Sequence, residues 1–136
     1  MKKTMNNPRP FVKWVGGKTG LLAEIMKVVP DFSRTYYEPF VGGAALFFEM
    51  WRLGRMRNAV LSDTCAELMT AYQVVRDTPT ELGRALDMFQ PHTKNTLEYY
   101  AIRAVDPSTI GSIASAARFI YLNKIGFNGM YRVNRR

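Results

Sequence analysis

The sequence predicts an α/β fold whose first half opens a doubly wound, Rossmann-like parallel sheet and whose second half is mostly helical. Three observations carry this prediction. Two short β-rich runs, "TYYEPF" and "NAVLSD", flank a stretch of helical periodicity; a pair of glycines stands where the first run gives way to that helix; and an acid, Asp63, closes the second run. Strand, glycine turn, helix, strand and acid, in that order, begin the sheets that hold ligands at the carboxyl ends of their strands.

The elements follow in order. Residues 1–10 read as an arm, with Pro8 and Pro10 keeping it out of helix. After "GGKTG", Leu21, Leu22, Ile25, Met26 and Val29 fall on one helical face and Pro30 follows, which predicts an amphipathic helix over 19–29. "VGGAALFFEMWRLG" is a glycine turn opening a helix that closes at Gly54. Farther on, Thr78-Pro79-Thr80-Glu81 has the form of a capping box with proline at the first helical position, and 95–98 is a second cap-like start. Residues 108–123 carry Ile110, Ile113, Ala114, Ala117, Phe119, Ile120 and Leu122, predicting a helix that runs into a corner between Gly126 and Gly129. The expected division is 1–65 for the sheet-bearing part and 66–136 for the helical part.

With 47% hydrophobic and 22% charged residues in 136, the composition is that of a folded chain rather than a disordered one. The net charge of +8 makes a polyanion the first partner to consider. From Pro107 onward the chain has Arg118, Lys124, Arg132, Arg135, Arg136 and no acid, so this end is the expected contact surface. Cys65 is the only cysteine and His92 the only histidine, which excludes an intramolecular disulfide and a multi-cysteine metal site. No apolar run approaches eighteen residues, so the expectation is a soluble, cytoplasmic protein with no membrane partner.

Gly17-Lys18-Thr19 has the ending of a phosphate-binding loop. That motif needs a glycine five positions before Gly17, where this chain has Val12, so the phosphate-loop reading fails on spacing. The stretch "YYEPFVGGAALFFEM" is more informative. Gly42 and Gly43 let backbone approach a ligand closely, the helix start offers N–H donors, and Glu38 can accept from an ammonium or a hydroxyl. Asp63 lies twenty residues past Gly43, about the separation at which the acid of a dinucleotide fold reaches ribose hydroxyls. The ordered set points to an adenosine-containing ligand.

Four blocks, "FVKWVGGK", "YYEPFVGGAALFF", "LSD" and "YLNKIGFNGMYRVN", together resemble the DNA adenine methylase family of S-adenosylmethionine-dependent methyltransferases, in the family's order and over nearly the whole chain. The resemblance implies an incomplete methyltransferase sheet followed by a helical target-recognition region ending in a hairpin. It implies that Trp14, Gly16, Gly17 and Lys18 line the methionine and adenosine site of S-adenosylmethionine, that Glu38, Phe40, Gly42 and Gly43 form the cofactor turn, and that Asp63 holds the cofactor's ribose. It implies duplex DNA as the partner, with Lys13 facing it. Within the segment from Asn123 to Asn134, Phe127 would wedge beside a flipped base, Asn128 and Met130 would touch base edges, and Arg132 would read guanine. Asn123 belongs to the same recognition set, and Lys124, Arg135 and Arg136 would contact phosphates. Two departures stand out. Ala44 occupies a position that is often glycine, where an added methyl could crowd the cofactor, and Thr64-Cys65 replaces a common Ile-Asn.

The family's Asp-Pro-Pro-Tyr type tetrapeptide, which holds the target amine, has no match: the prolines at 8, 10, 30, 39, 79, 91 and 107 are all isolated. No catalytic residue is therefore assigned, and the 136 residues alone are expected not to methylate DNA. With later strands of the family's sheet also missing, the expected partners include a complementary C-terminal half or a second copy. A cytosine-5 enzyme is disfavoured, because its nucleophile is a Pro-Cys cysteine and Cys65 follows Thr64.

Overall fold

A computed structural model describes residues 7–30, 35–89 and 96–131. The chain divides into two compact units, one of Met1–Phe11 with Gly16–Asp63, the other of Val12–Val15 with Thr64–Arg136.

The first unit is built around a two-stranded parallel sheet. A 3-10 turn, Lys18–Leu21, leads into helix α1 (Leu22–Val28), so the predicted helix starts in the tighter form, around Gly20. Strand β1 (Tyr36–Glu38) pairs in parallel with strand β2 (Ala59–Leu61), Tyr36 opposite Ala59 and Glu38 opposite Leu61. Helix α2 (Ala45–Arg52) makes the crossover that parallel pairing requires, and Gly54, at φ +66°, ends it. Tyr36, Met50 and Met56 form the core, joined by Met26, Val29, Leu46, Phe47 and Leu61. On the other face of the sheet the cross-strand neighbours Tyr37 and Val60 are exposed. This is a mixed α/β architecture with a small parallel sheet.

The second unit is helical: α3 (Ala66–Asp77), α4 (Pro79–Asp87), α5 (Thr96–Ala104) and α6 (Ser112–Ile125). Helices α3 and α4 pack on α6, which explains why nearly all of its middle, including Ala116, Ala117, Phe119, Tyr121 and Leu122, is buried. Helix α6 starts later than the apolar pattern predicts. Asp106 accepts from the Ser108 backbone N–H at 2.9 Å and holds Pro107–Thr109 as a separate 3-10 turn, and the extended Gly111 intervenes.

The capping box at Thr78 does not form. Thr78 closes α3 as well as opening α4, and its hydroxyl donates back to the Val74 carbonyl at 3.4 Å instead of capping the helix ahead. Pro79 does occupy the first turn of α4. The cap-like start at Asn95 lies outside the described residues.

Candidate functional site

In the first unit, the parallel arrangement brings the carboxyl ends of β1 and β2 side by side, so the loops that follow them share one edge. The loop after β1 holds Phe40, Gly42, Gly43 and Ala44; the loop after β2 holds Asp63. The two are joined directly. The Gly42 backbone N–H donates to Asp63 Oδ2 at 2.9 Å, and Val41 N–H donates to the Ser62 carbonyl at 3.0 Å. Gly42 has φ +49° and Ala44 φ +59°, so the turn needs two left-handed residues to swing from strand to helix. Phe40 is exposed at the rim.

Glu38, also predicted here, is turned inward. Its Oε1 accepts from Lys18 Nζ at 3.0 Å and its Oε2 from the Tyr36 hydroxyl at 2.8 Å. Lys18 Nζ also donates to the Phe40 carbonyl at 2.9 Å. The ammonium and hydroxyl that Glu38 was expected to find thus belong to the chain itself, and they tie the glycine turn before Lys18 to the turn after β1. Burial, reinforced by the Glu38 hydrogen bond and charge, holds the Tyr36 phenol well above its ordinary value of 10.0. Gly16 and Gly17 lie exposed ahead of Lys18; Gly16 has φ +74° with open space around it, so its backbone conformation, not a close approach, calls for glycine. Ala44 is fully buried, so its methyl packs inside the protein and does not crowd the accessible side of the turn.

Trp14 belongs to the second unit, where its ring lies 6.3 Å from that of Phe119. Lys13 is in the same segment, and there it meets the end of α6. Asn123 accepts from the Lys13 backbone N–H at 2.9 Å and donates through Nδ2 to the Lys13 carbonyl at 2.7 Å and the Gly129 carbonyl at 3.0 Å. Asn123, expected from sequence in the DNA-contacting set, is 2% exposed, and its amide is spent clamping backbone at the turn beyond α6.

That turn, Phe127–Gly129, is a 3-10 turn in which Asn128 takes φ +53° and Gly129 φ +66°. A side chain at Gly129 would fall 2.4 Å from Lys13 Cβ, so only glycine lets the lysine stem pass. Phe127 is 80% exposed, an unusual position for a phenylalanine, and Asn128 and Lys124 are exposed beside it. Met130 is half-buried. Arg132, Arg135 and the predicted hairpin's far side lie outside the described residues.

Arg118, counted from sequence with the basic contact surface, is 5% exposed. It pairs with Glu67 at 2.9 Å and donates to the Ile102 and Arg103 carbonyls at 2.9 and 2.7 Å. Glu67, Arg103, Arg118 and Tyr131 line a cavity of about 910 Å³ shared with Tyr99, Tyr100 and Phe127. Sequence reasoning did not single out Glu67, Tyr131 or Tyr36. Glu67 and Tyr131 pair across 64 residues, which no local pattern announces, whereas Tyr36 meets Glu38 two residues along one strand face.

Among the described residues no helix is long and apolar enough to cross a membrane. The chain matches the D12 class N6 adenine-specific DNA methyltransferase family over residues 14–136. It is similar to the type II methyltransferase M1.LlaDCHI of Lactococcus lactis subsp. cremoris, with 37% identity over 98% of this chain and 47% of the relative. It is similar also to the type II methyltransferase M.CviBI of Paramecium bursaria Chlorella virus NC1A, with 36% identity over 93% of this chain and 46% of the relative. The DNA adenine methylase of Escherichia coli strain K12 is 32% identical over 97% of this chain and 46% of its own length. The chain spans about half the length of the curated relatives it matches. With residues 14–136 covered by the family, the chain belongs to the D12 class N6 adenine-specific DNA methyltransferases.

Proposed function

We propose that this chain supplies the S-adenosylmethionine-binding turns and the DNA-reading turn of an enzyme that methylates adenine N6 in duplex DNA. The observation that carries the cofactor half is the Gly42 to Asp63 bond, which fixes a glycine turn and a carboxylate at one edge of a parallel sheet. The groups there fit the cofactor. A carboxylate is suited to ribose hydroxyls, an exposed aromatic such as Phe40 offers a face to adenine, and Gly42 and Gly43 leave the backbone without side chains at the turn. When bound, S-adenosylmethionine supplies an electrophilic methyl group on a cationic sulfur. Asp63 orients the ribose, Gly42 orients Asp63, and the Lys18–Glu38 pair holds the two glycine turns in register. On this reading the small sheet is the start of a Rossmann-like methyltransferase sheet.

The DNA half rests on exposed Phe127 and Asn128 at one turn and exposed Lys124 in the last turn of α6, with Lys13 clamped beside them. Phe127 stacks in the place of a flipped base, and Asn128 and Met130 meet base edges. Arg132 reads a guanine and Arg135 meets phosphate, so Arg132→Ala relaxes discrimination while Arg135→Ala weakens all duplexes alike.

The residues that would grip the target amine are not among the 136, since no Asp-Pro-Pro-Tyr type sequence occurs. One other reading is a catalytically silent DNA-binding module, which need not hold the cofactor. Binding and transfer of label from S-adenosylmethionine in the presence of adenine-containing duplex DNA separate them. The chain alone is expected to bind cofactor and DNA without transfer, and to transfer label to adenine when joined with a half that carries the tetrapeptide. Label on cytosine, or on adenine with the chain alone, would contradict the proposal.

A further inference from the structure

We infer that Tyr131, held by Glu67 and Arg118, is a positioning residue that sets the pose of the base-reading turn and with it the enzyme's sequence discrimination. The inference rests on the DNA reading above. The turn cannot set its own pose: Phe127 and Asn128 project into solvent, and packing at their side chains does little to fix them. Its geometry must come from its ends. Asn123, in the last turn of α6, holds the turn from the helix side, its amide bonding the carbonyl of Gly129, the turn's last residue, and that of Lys13. The downstream end is Tyr131, two residues past Gly129 and one peptide bond before Arg132.

Tyr131 is tied from three directions. Its ring meets that of Phe119 on α6 edge-on, with centroids 4.7 Å apart and planes at 64°. Its hydroxyl donates to Glu67 Oε1 on α3 and accepts from Arg118 Nη1 on α6 at 3.3 Å. Arg118 in turn bonds Glu67 Oε2 and the Ile102 and Arg103 carbonyls of α5. Hydrogen bonds to charged partners are short and directional, and a buried guanidinium bonded through all three of its nitrogens tolerates little rearrangement. The phenol therefore anchors the chain beside Arg132 to the meeting point of α3, α5 and α6.

The test uses the protein as its host produces it. A preferred duplex is selected from a randomised pool, and dissociation constants for it and for single-base-pair variants are measured by fluorescence anisotropy. Tyr131→Phe keeps the ring and removes the anchor. It is expected to lower the ratio of preferred to mismatched affinity by about tenfold, the scale of one base contact, while affinity for mismatched duplex changes less than about twofold. Glu67→Gln is expected to do the same, and the double variant to lose no more than the larger single loss, because both act through one network. Circular dichroism confirms folding, and either variant suffices if the other does not fold. An unchanged ratio, or equal weakening on all duplexes, overturns the inference and leaves the DNA reading standing. Absence of any sequence preference in the unsubstituted protein overturns the DNA reading, and the inference with it.

Discussion

Ala44 holds φ +59° and ψ +30° with its side chain fully buried, at a position where the family often has glycine. A left-handed residue with a Cβ carries about 1–2 kcal/mol of strain, against which the buried methyl contributes about 0.8 kcal/mol. These nearly offset, so Ala44→Gly is expected to shift unfolding stability by less than about 1 kcal/mol. Ala44→Val adds a branched side chain in the wrong backbone region and overfills the site, and is expected to destabilise by about 2 kcal/mol or more in urea unfolding. A second residue-scale expectation concerns Tyr36. Its phenol keeps its proton more firmly when folded than unfolded, so the unfolded chain deprotonates first as pH rises past 10.0. The folded state then binds more protons, and stability falls with rising pH. The contribution is intact below about pH 10 and is lost above it. Tyr36→Phe should flatten that alkaline decline, measured as the unfolding midpoint against pH; an unchanged slope would show that the phenol is not buried beside Glu38.

At the scale of elements, the turn after α6 separates positioning from contact. Asn123→Ala leaves the Lys13 and Gly129 backbone groups without their partner and is expected to destabilise by about 2–4 kcal/mol, since each unsatisfied buried group costs about 1–3 kcal/mol. Phe127→Ala removes a ring that packs against little and should move stability by less than about 0.5 kcal/mol. Its effect should fall on DNA, with binding to the preferred duplex weakened about tenfold, in line with about 1–3 kcal/mol per stacked base. The reverse pattern, a large stability loss at Phe127 and none at Asn123, would refute the assignment. These two residues also mark what sequence could and could not disclose. The glycine turn, the strands around α2 and the Gly126 to Gly129 corner were legible because glycine placement and apolar period are local signals. Asn123 looked like a contact residue because it stands in the same sequence block as Phe127 and Asn128. Only the return of Lys13 to the end of α6, 110 residues away in sequence, turns its amide into a clamp. The same applies to Arg118, whose charge was visible but whose acid partner, 51 residues earlier, was not. Thr78 shows the smaller version: one residue serves two helices, and its hydroxyl can turn to only one of them.

For the whole molecule, the charge of +8 and the glycine turn bonded to Asp63 are the two features that a function must join. Each phosphate neutralised contributes about 0.9 to the slope of log affinity against log salt, so Lys124→Ala should reduce that slope by about one and weaken matched and mismatched duplexes equally. A selective effect would make Lys124 a base contact instead. Calorimetric titration of S-adenosylmethionine into the folded protein tests whether the loop edge of the sheet holds the cofactor. Saturable binding near one molecule per chain is expected, weakened at least about tenfold by Asp63→Ala, the loss expected when a carboxylate stops accepting from a ligand hydroxyl. No binding to folded protein, or equal binding by the Asp63→Ala variant, would contradict it.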